Sequence, residues 1–191
     1  MPYTVSAPAS EPLTKALVKN WLKLDASATD EDDVLDILIG AARAEAESTT
    51  NQFWASRTVV EYLDSFPETP LFLSVGKVRA FTSIEYLPDG GDGSTYSTLN
   101  ATNYKADIIS DPARIELTET GAWPDTIALP NAVKLTYTVG VASVSDIPAS
   151  VKNAMLLRIG QMYENREDMK IKATERAVFS LLRGTEWRPQ F

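Results

Sequence analysis

The hydrophobic period of this chain changes twice, and that change constrains the fold more than any single motif. Up to about residue 56 the apolar residues recur at steps of three and four. From Arg57 to about residue 140 they alternate at steps of two, and from Ile147 the longer step returns. A helix repeats every 3.6 residues and a strand every two, so neither pattern settles comfortably as the other. The sequence therefore predicts an α+β protein. Residues 1–56 and 141–191 form a small helical bundle, and residues 57–140 form an inserted antiparallel β lobe.

The strongest helical signal is Ile147–Asp168, IPASVKNAMLLRIGQMYENRED. Its spacing puts Ile147, Val151, Ala154, Met155, Leu157, Ile159 and Met162 largely on one side, and Leu156 widens the stripe. Asp146 is placed to cap the amino end, and Pro148 falls in the first turn, where its missing N–H costs nothing. This predicts the central helix. Upstream, Pro12–Leu24 reads as a short amphipathic helix with Leu13, Ala16, Leu17, Trp21 and Leu24 on one face and Lys15, Lys19 and Lys23 on another. A second long helix opens at Thr29-Asp30-Glu31-Asp32-Asp33 and runs to about Trp54. Thr29 with Asp32 fits an acidic capping box, and acids at that end suit the helix dipole. A divalent-cation site is the weaker reading of this run, because consecutive acids point in different directions and the spaced ligands and glycine of a cation loop are missing. Thr174–Arg183 predicts a last helix burying Ala177, Val178, Leu181 and Leu182, with Gly184 ending it in the left-handed conformation. Residues 1–10, small and polar with two prolines, predict an extended, weakly ordered arm.

In the lobe, RTVVEYLDSF, LFLSVGKVRAFTSIEYLP, ATNYKADIIS, ARIELTET and NAVKLTYTVG are rich in β-branched and aromatic residues and are separated by Pro, Gly and Asp clusters. In the last of them Val133, Leu135 and Tyr137 alternate with Lys134, Thr136 and Thr138, the pattern of a half-buried antiparallel strand. Asp89–Gly93 lacks the lysine and hydroxyl of a phosphate loop and is too short for a calcium loop, so it reads as a mobile hairpin tip. Trp123-Pro124 reads as a plug packed at one end of the lobe.

Composition narrows the chemistry. The 191 residues contain no cysteine and no histidine. There is no disulfide, no thiolate metal site, no imidazole base and no conventional catalytic triad. No metal site, cofactor motif or catalytic group is expected, and the chain reads as a non-enzyme. No run approaches the ~18–20 apolar residues of a membrane span, and the first residues lack a signal peptide's blocks, so a cytoplasmic site of synthesis is expected. The formal net charge is −8, which opposes sequence-independent binding to DNA. The last third runs the other way, with eight basic and five acidic side chains in residues 147–191. It ends in WRPQF, where aromatics beside arginine are the residue types that anchor in partner pockets.

The order of elements, with Leu13–Ser48, Val78–Tyr86, Ala122-Trp123-Pro124, Val133–Gly140 and the helix from Ile147 to the phrase Tyr163-Glu164-Asn165-Arg166-Glu167, resembles the head–tail connector (adaptor) proteins of tailed bacteriophages, in the HK97 connector-like group with an inserted β region. The likeness spans about residues 13–183 and rests on the order of the elements and on YENRE; residues 184–191 match no pattern of the group. The resemblance implies a structural virion protein made in the host bacterial cytoplasm. It implies a homo-oligomeric ring, a dodecamer, that sits under the portal protein at the capsid vertex. Such a ring extends the DNA channel and offers a platform for the stopper or tail-completion protein. In connectors of this kind the carboxyl-terminal segment docks on the portal, which by position and chemistry points to Arg176, Arg183, Trp187, Arg188 and Phe191. Two other readings compete. One is a carbohydrate- or protein-binding β module on a helical base, motivated by the lobe's aromatics. The other is a carboxylate hydrolase using pairs among Asp89, Asp92, Asp107 and Asp111, which needs one member with a raised pKa in a cleft.

Overall fold

The computed structural model describes residues 2–67, 70–164 and 172–186. In chain order the elements are β1 (Tyr3–Val5), α1 (Lys15–Leu22), α2 (Asp32–Thr50), β2 (Arg57–Leu63), β3 (Leu71–Phe72), β4 (Val78–Tyr86), β5 (Ser97–Thr98), β6 (Tyr104–Asp107), β7 (Arg114–Leu117), β8 (Val133–Val139), α3 (Ala149–Glu164) and α4 (Lys172–Leu182). The fold is α+β. Its contacts separate into two compact units, one of residues 2–7 and 56–140, the other of residues 8–55 and 141–186.

The β unit holds an antiparallel five-stranded sheet in the order β1-β2-β8-β4-β5 and a three-stranded sheet in the order β3-β7-β6. β8 lies at the centre of the larger sheet, and there Val133, Leu135, Tyr137 and Val139 are all fully buried, as strict alternation requires. Val59 faces Tyr137 and Glu61 faces Leu135 across β2. The stretch 71–88, expected as one strand, is two. Gly76 takes a positive φ of 60°, which a glycine adopts without steric cost, and the chain turns there from the smaller sheet into the larger. The amino-terminal arm, expected to be weakly ordered, instead adds β1 to the edge of β2, with Thr4 opposite Val60. Three residues are too few to show a period, so the pairing left no mark in the sequence.

Glu61 occupies a fully buried position on β2 where alternation calls for an apolar side chain. Its carboxylate accepts a hydrogen bond from the Tyr137 hydroxyl at 2.7 Å. It also accepts bonds from the hydroxyl of Ser74 and, at 3.4 Å, from the Ser74 backbone N–H. Burial, followed by the neighbouring Glu61 carboxylate, pushes the Tyr137 phenol well above its ordinary range. Both therefore stay hydrogen-bonded in the interior, and the segment after β3 is tied to the larger sheet.

In the helical unit one core joins residues distant in sequence. Leu13, Val18, Leu35, Ile39, Ala42, Ala46 and Trp54 from the first half pack with Ile147, Val151, Ala154, Met155, Ile159, Val178 and Leu182 from the second. Each side chain of Leu or Ile size so buried contributes about 1.5–3 kcal/mol. α1 is capped by Thr14, whose hydroxyl accepts from the Leu17 N–H at 3.3 Å, and ends at Lys23 in the left-handed region, φ 58°. Its buried face differs from the expected one: Val18 and Lys19 are buried, while Ala16, Leu17 and Trp21 are exposed. Lys19 turns inward because Asp32 and the Ala28 carbonyl, each 2.6 Å away, satisfy its ammonium.

The capping box expected of Thr29 and Asp32 does not form. Glu31 stands at the N-cap without a side-chain capping bond, its carboxylate accepting instead from the Tyr163 hydroxyl, and Asp32 is engaged by Lys19 and, at 3.5 Å, by Lys15. The Lys19 bond comes first among the causes that hold Asp32 below the usual carboxylate range. α2 stops at Thr50, four residues before the expected end. Asn51 takes a left-handed φ of 52°, and Trp54 folds back so that its Nε1 donates to the Thr50 hydroxyl at 2.9 Å. Asp146 does not cap α3. It closes a capping box with Ser143 around a separate 3-10 turn, Val144–Asp146, and Pro148 precedes the first residue of α3. The expected end of that helix at Asp168 lies outside the described residues. Gly184 sits inside a 3-10 turn, Arg183–Thr185, which tightens the end of α4 in place of a left-handed stop.

Candidate interaction surfaces

α4 presents two faces. Val178 and Leu182 are buried beside Ala42, Ala46, Ala154 and Met155, while Ala177, expected to be buried, is exposed and Leu181 is half-buried. On the other side Arg176, Phe179 and Arg183 are exposed and, at spacings of three and four, share one face. Two of the five residues expected to dock a partner, Arg176 and Arg183, therefore stand together, with Phe179 between them. Trp187, Arg188 and Phe191 lie outside the described residues. Phe179 was missed because the apolar count favoured the Val178 and Leu182 face; its signal was an aromatic between two arginines at helical spacing.

α2 also shows an outer stripe. Val34, Ile37, Ala41 and Ala44 are exposed and recur at three- and four-residue steps, beside the buried stripe of Leu35, Ile39, Ala42 and Ala46. Asp30, Asp33 and Asp36 lie exposed around its start. On α1, Leu17 and Trp21, one turn apart, are 42% and 44% exposed.

The carboxylates considered for hydrolysis do other work. Asp92 closes its own loop, accepting from the Ser94 and Thr95 N–H groups and the Thr95 hydroxyl, each at 2.9 Å. These bonds hold it far below the usual range. Asp107 accepts from the Ser110 hydroxyl at 2.6 Å and from the N–H groups of Ser110 and Ile109 at 3.1 Å. The Ser110 bonds lead in lowering it to about 2. Asp89 and Asp111 are exposed. Neither Asp92 nor Asp107 has the raised pKa of a general acid. An open recess of about 310 Å³ beside Asp107 is lined by Lys105, Ile108, Arg114 and Glu116 among others. There Arg114 pairs with Asp107 and Glu116, both at 3.3 Å. Among the described residues no group of three or more His, Cys, Asp or Glu could hold a metal ion, and no helix is long and apolar enough to cross a membrane.

Three of the lobe's aromatics pack on one another instead of lying exposed as a platform. Trp123 is half-buried and stacks on Phe66, ring centroids 4.7 Å apart and planes within 5°. Phe66 in turn meets Tyr86 at 6.2 Å, so this group packs as the plug its sequence suggested.

The geometry defines an α+β chain that exposes helical faces of mixed apolar and charged character. No protein-family model matches it, and no curated protein matches it by sequence. Solved structures do share its fold from end to end. A chain in the neck of an empty GTA particle, computed with C6 symmetry, is 24% identical with a TM-score of 0.78, covering 100% of this chain and 98% of its own. A chain in the virion of a native gene transfer agent (GTA) particle is 23% identical, TM-score 0.75, covering 100% and 97%. A chain in the neck of a native GTA particle, computed with C12 symmetry, is 22% identical, TM-score 0.66, covering 100% and 98%. At these identities the likeness is one of fold.

Proposed function

We propose that this chain is a structural neck protein of a tailed, phage-like particle: a head–tail connector of the HK97 connector-like kind, acting as a ring and not as an enzyme. The observation that carries the reading is the fold likeness over 100% of the chain to chains of particle necks computed with six- and twelve-fold symmetry. In this reading the ring, a dodecamer, lies under the portal protein, continues the DNA channel and seats the stopper or tail-completion protein. A net charge of −8 suits a channel through which DNA slides without sticking, because affinity grows with the number of phosphates neutralised. Trp187, Arg188 and Phe191 are the portal-docking residues of the proposal; Arg176 and Arg183, the other two candidates, stand on α4 and directly after it.

Truncation of residues 185–191 tests the docking role. The shortened chain is expected to keep its fold and to lose portal binding in a pull-down. Undiminished portal binding by the truncated chain would remove the tail from the docking surface.

A further inference from the structure

Among the described residues, the two most exposed large apolar side chains of the helical unit are Ile37 on α2, 71% exposed, and Phe179 on α4, 58% exposed. Single exposed apolar residues are ordinary. These two differ in what stands beside them. Asp33, exposed, lies one turn before Ile37 on the same face of α2, and Arg183, exposed, follows Phe179 by four residues and opens the 3-10 turn that ends α4. Four residues of α-helix rise ~6 Å, so on α2 the charge stands about one turn from the apolar side chain, and at the end of α4 the charge stands four residues from it. The charges are opposite in sign.

We infer that the Ile37 stripe of α2 receives the Phe179 face of α4 from a second copy of this chain. The inference rests on the ring reading above and names the contact that builds the ring. With α4 running antiparallel to the neighbour's α2, Phe179 lies against Ile37 while Arg183 reaches Asp33. Val34 and Ala41 widen the apolar seat, and Arg176 stands at the other end of the donor face. In a ring each copy presents one patch to one neighbour and the other patch to the next, a heterologous contact that closes on itself. Pairing either patch with itself would set aspartate near aspartate or arginine near arginine, which disfavours a contact between like patches.

The chain has no cysteine, which gives a clean cross-linking test. Ile37→Cys and Phe179→Cys are made as separate chains and treated with a short bis-maleimide under conditions in which mass measurement finds wild-type rings, assembled from purified chain or released from particles. The mixture is expected to give a covalent dimer, and each variant alone none. A dimer from either variant by itself would overturn the heterologous contact. Wild-type rings without any cross-link in the mixture would overturn the assigned surfaces and leave the ring reading standing. Absence of rings both in solution and in particles would remove the ring reading, and this inference with it. In a second arm Asp33→Arg and Arg183→Asp are each expected to weaken ring assembly by ~2–5-fold, with recovery when both are combined in one chain. No recovery in the combined variant would overturn the charge pairing.

Discussion

Glu61 and Glu85 show how position decides what a carboxylate is worth. Both lie on strands of the larger sheet, but Glu61 is fully buried among Tyr137 and Ser74, whereas Glu85 pairs with Lys134 at 2.6 Å, both about three-quarters buried. Removing a partner from a buried network leaves the other groups unsatisfied, at a cost of about 1–3 kcal/mol. Tyr137→Phe is expected to lower unfolding free energy by that amount in urea melts. Glu85→Ala is expected to cost less than about 1 kcal/mol, because a partly solvated ion pair gains little. Equal losses in the two variants would refute the assignment of Glu61 as the interior anchor. Asp107 carries the pH dependence at this scale. Its folded pKa of about 2 lies below the ordinary ~3.9. The stabilisation is therefore complete above pH ~4 and is lost as pH falls towards 2. Amide signals of Ile109 and Ser110 should shift across that window in the wild type. In Asp107→Asn the shift should be absent.

At the scale of elements, the core and the surface of the bundle separate cleanly. Ile159 is fully buried on α3, so Ile159→Ala should cost about 2–5 kcal/mol. Ile37→Ala, on the outer face of α2, should leave the melting midpoint of the isolated chain within the range of about 0.5 kcal/mol typical of surface changes. Matching losses for the two variants would mean that the outer stripe of α2 belongs to the chain's own core. The same elements show what the sequence made legible. β8 and the buried face of α3 followed directly from their periods, because a long run with one partnered side leaves a regular trace. The face of α1 did not. Leu17 and Trp21 satisfy helical spacing as well as Val18 and Leu22 do, and only the partner helices choose between them. Lys19 was unreadable for the same reason, since its buried ammonium depends on Asp32 and the Ala28 carbonyl, held at 2.6 Å by tertiary structure. The Thr29 capping box failed because Asp32 had a stronger partner elsewhere. Of the candidate surface, Arg176 and Arg183 were legible as exposed cations on an amphipathic helix. Phe179 and the outer stripe of α2 were not, because an apolar residue in sequence carries no sign of whether its own chain or another covers it.

For the whole molecule, two stretches separated by the 85 residues 56–140 build one helical core. Everything proposed about assembly depends on that core being rigid enough to display α2 and α4 as fixed surfaces. The chain's acidic balance and the mixed apolar and charged helix faces are what the proposed ring reading draws on. The direct test of the neck assignment is electron cryo-microscopy of tailed particles that carry this chain. The account predicts density for the chain as a closed ring between head and tail, with six- or twelve-fold symmetry around an open channel and α4 of each copy against α2 of the next. A neck fully accounted for by other chains, with this one absent from it, would contradict the account.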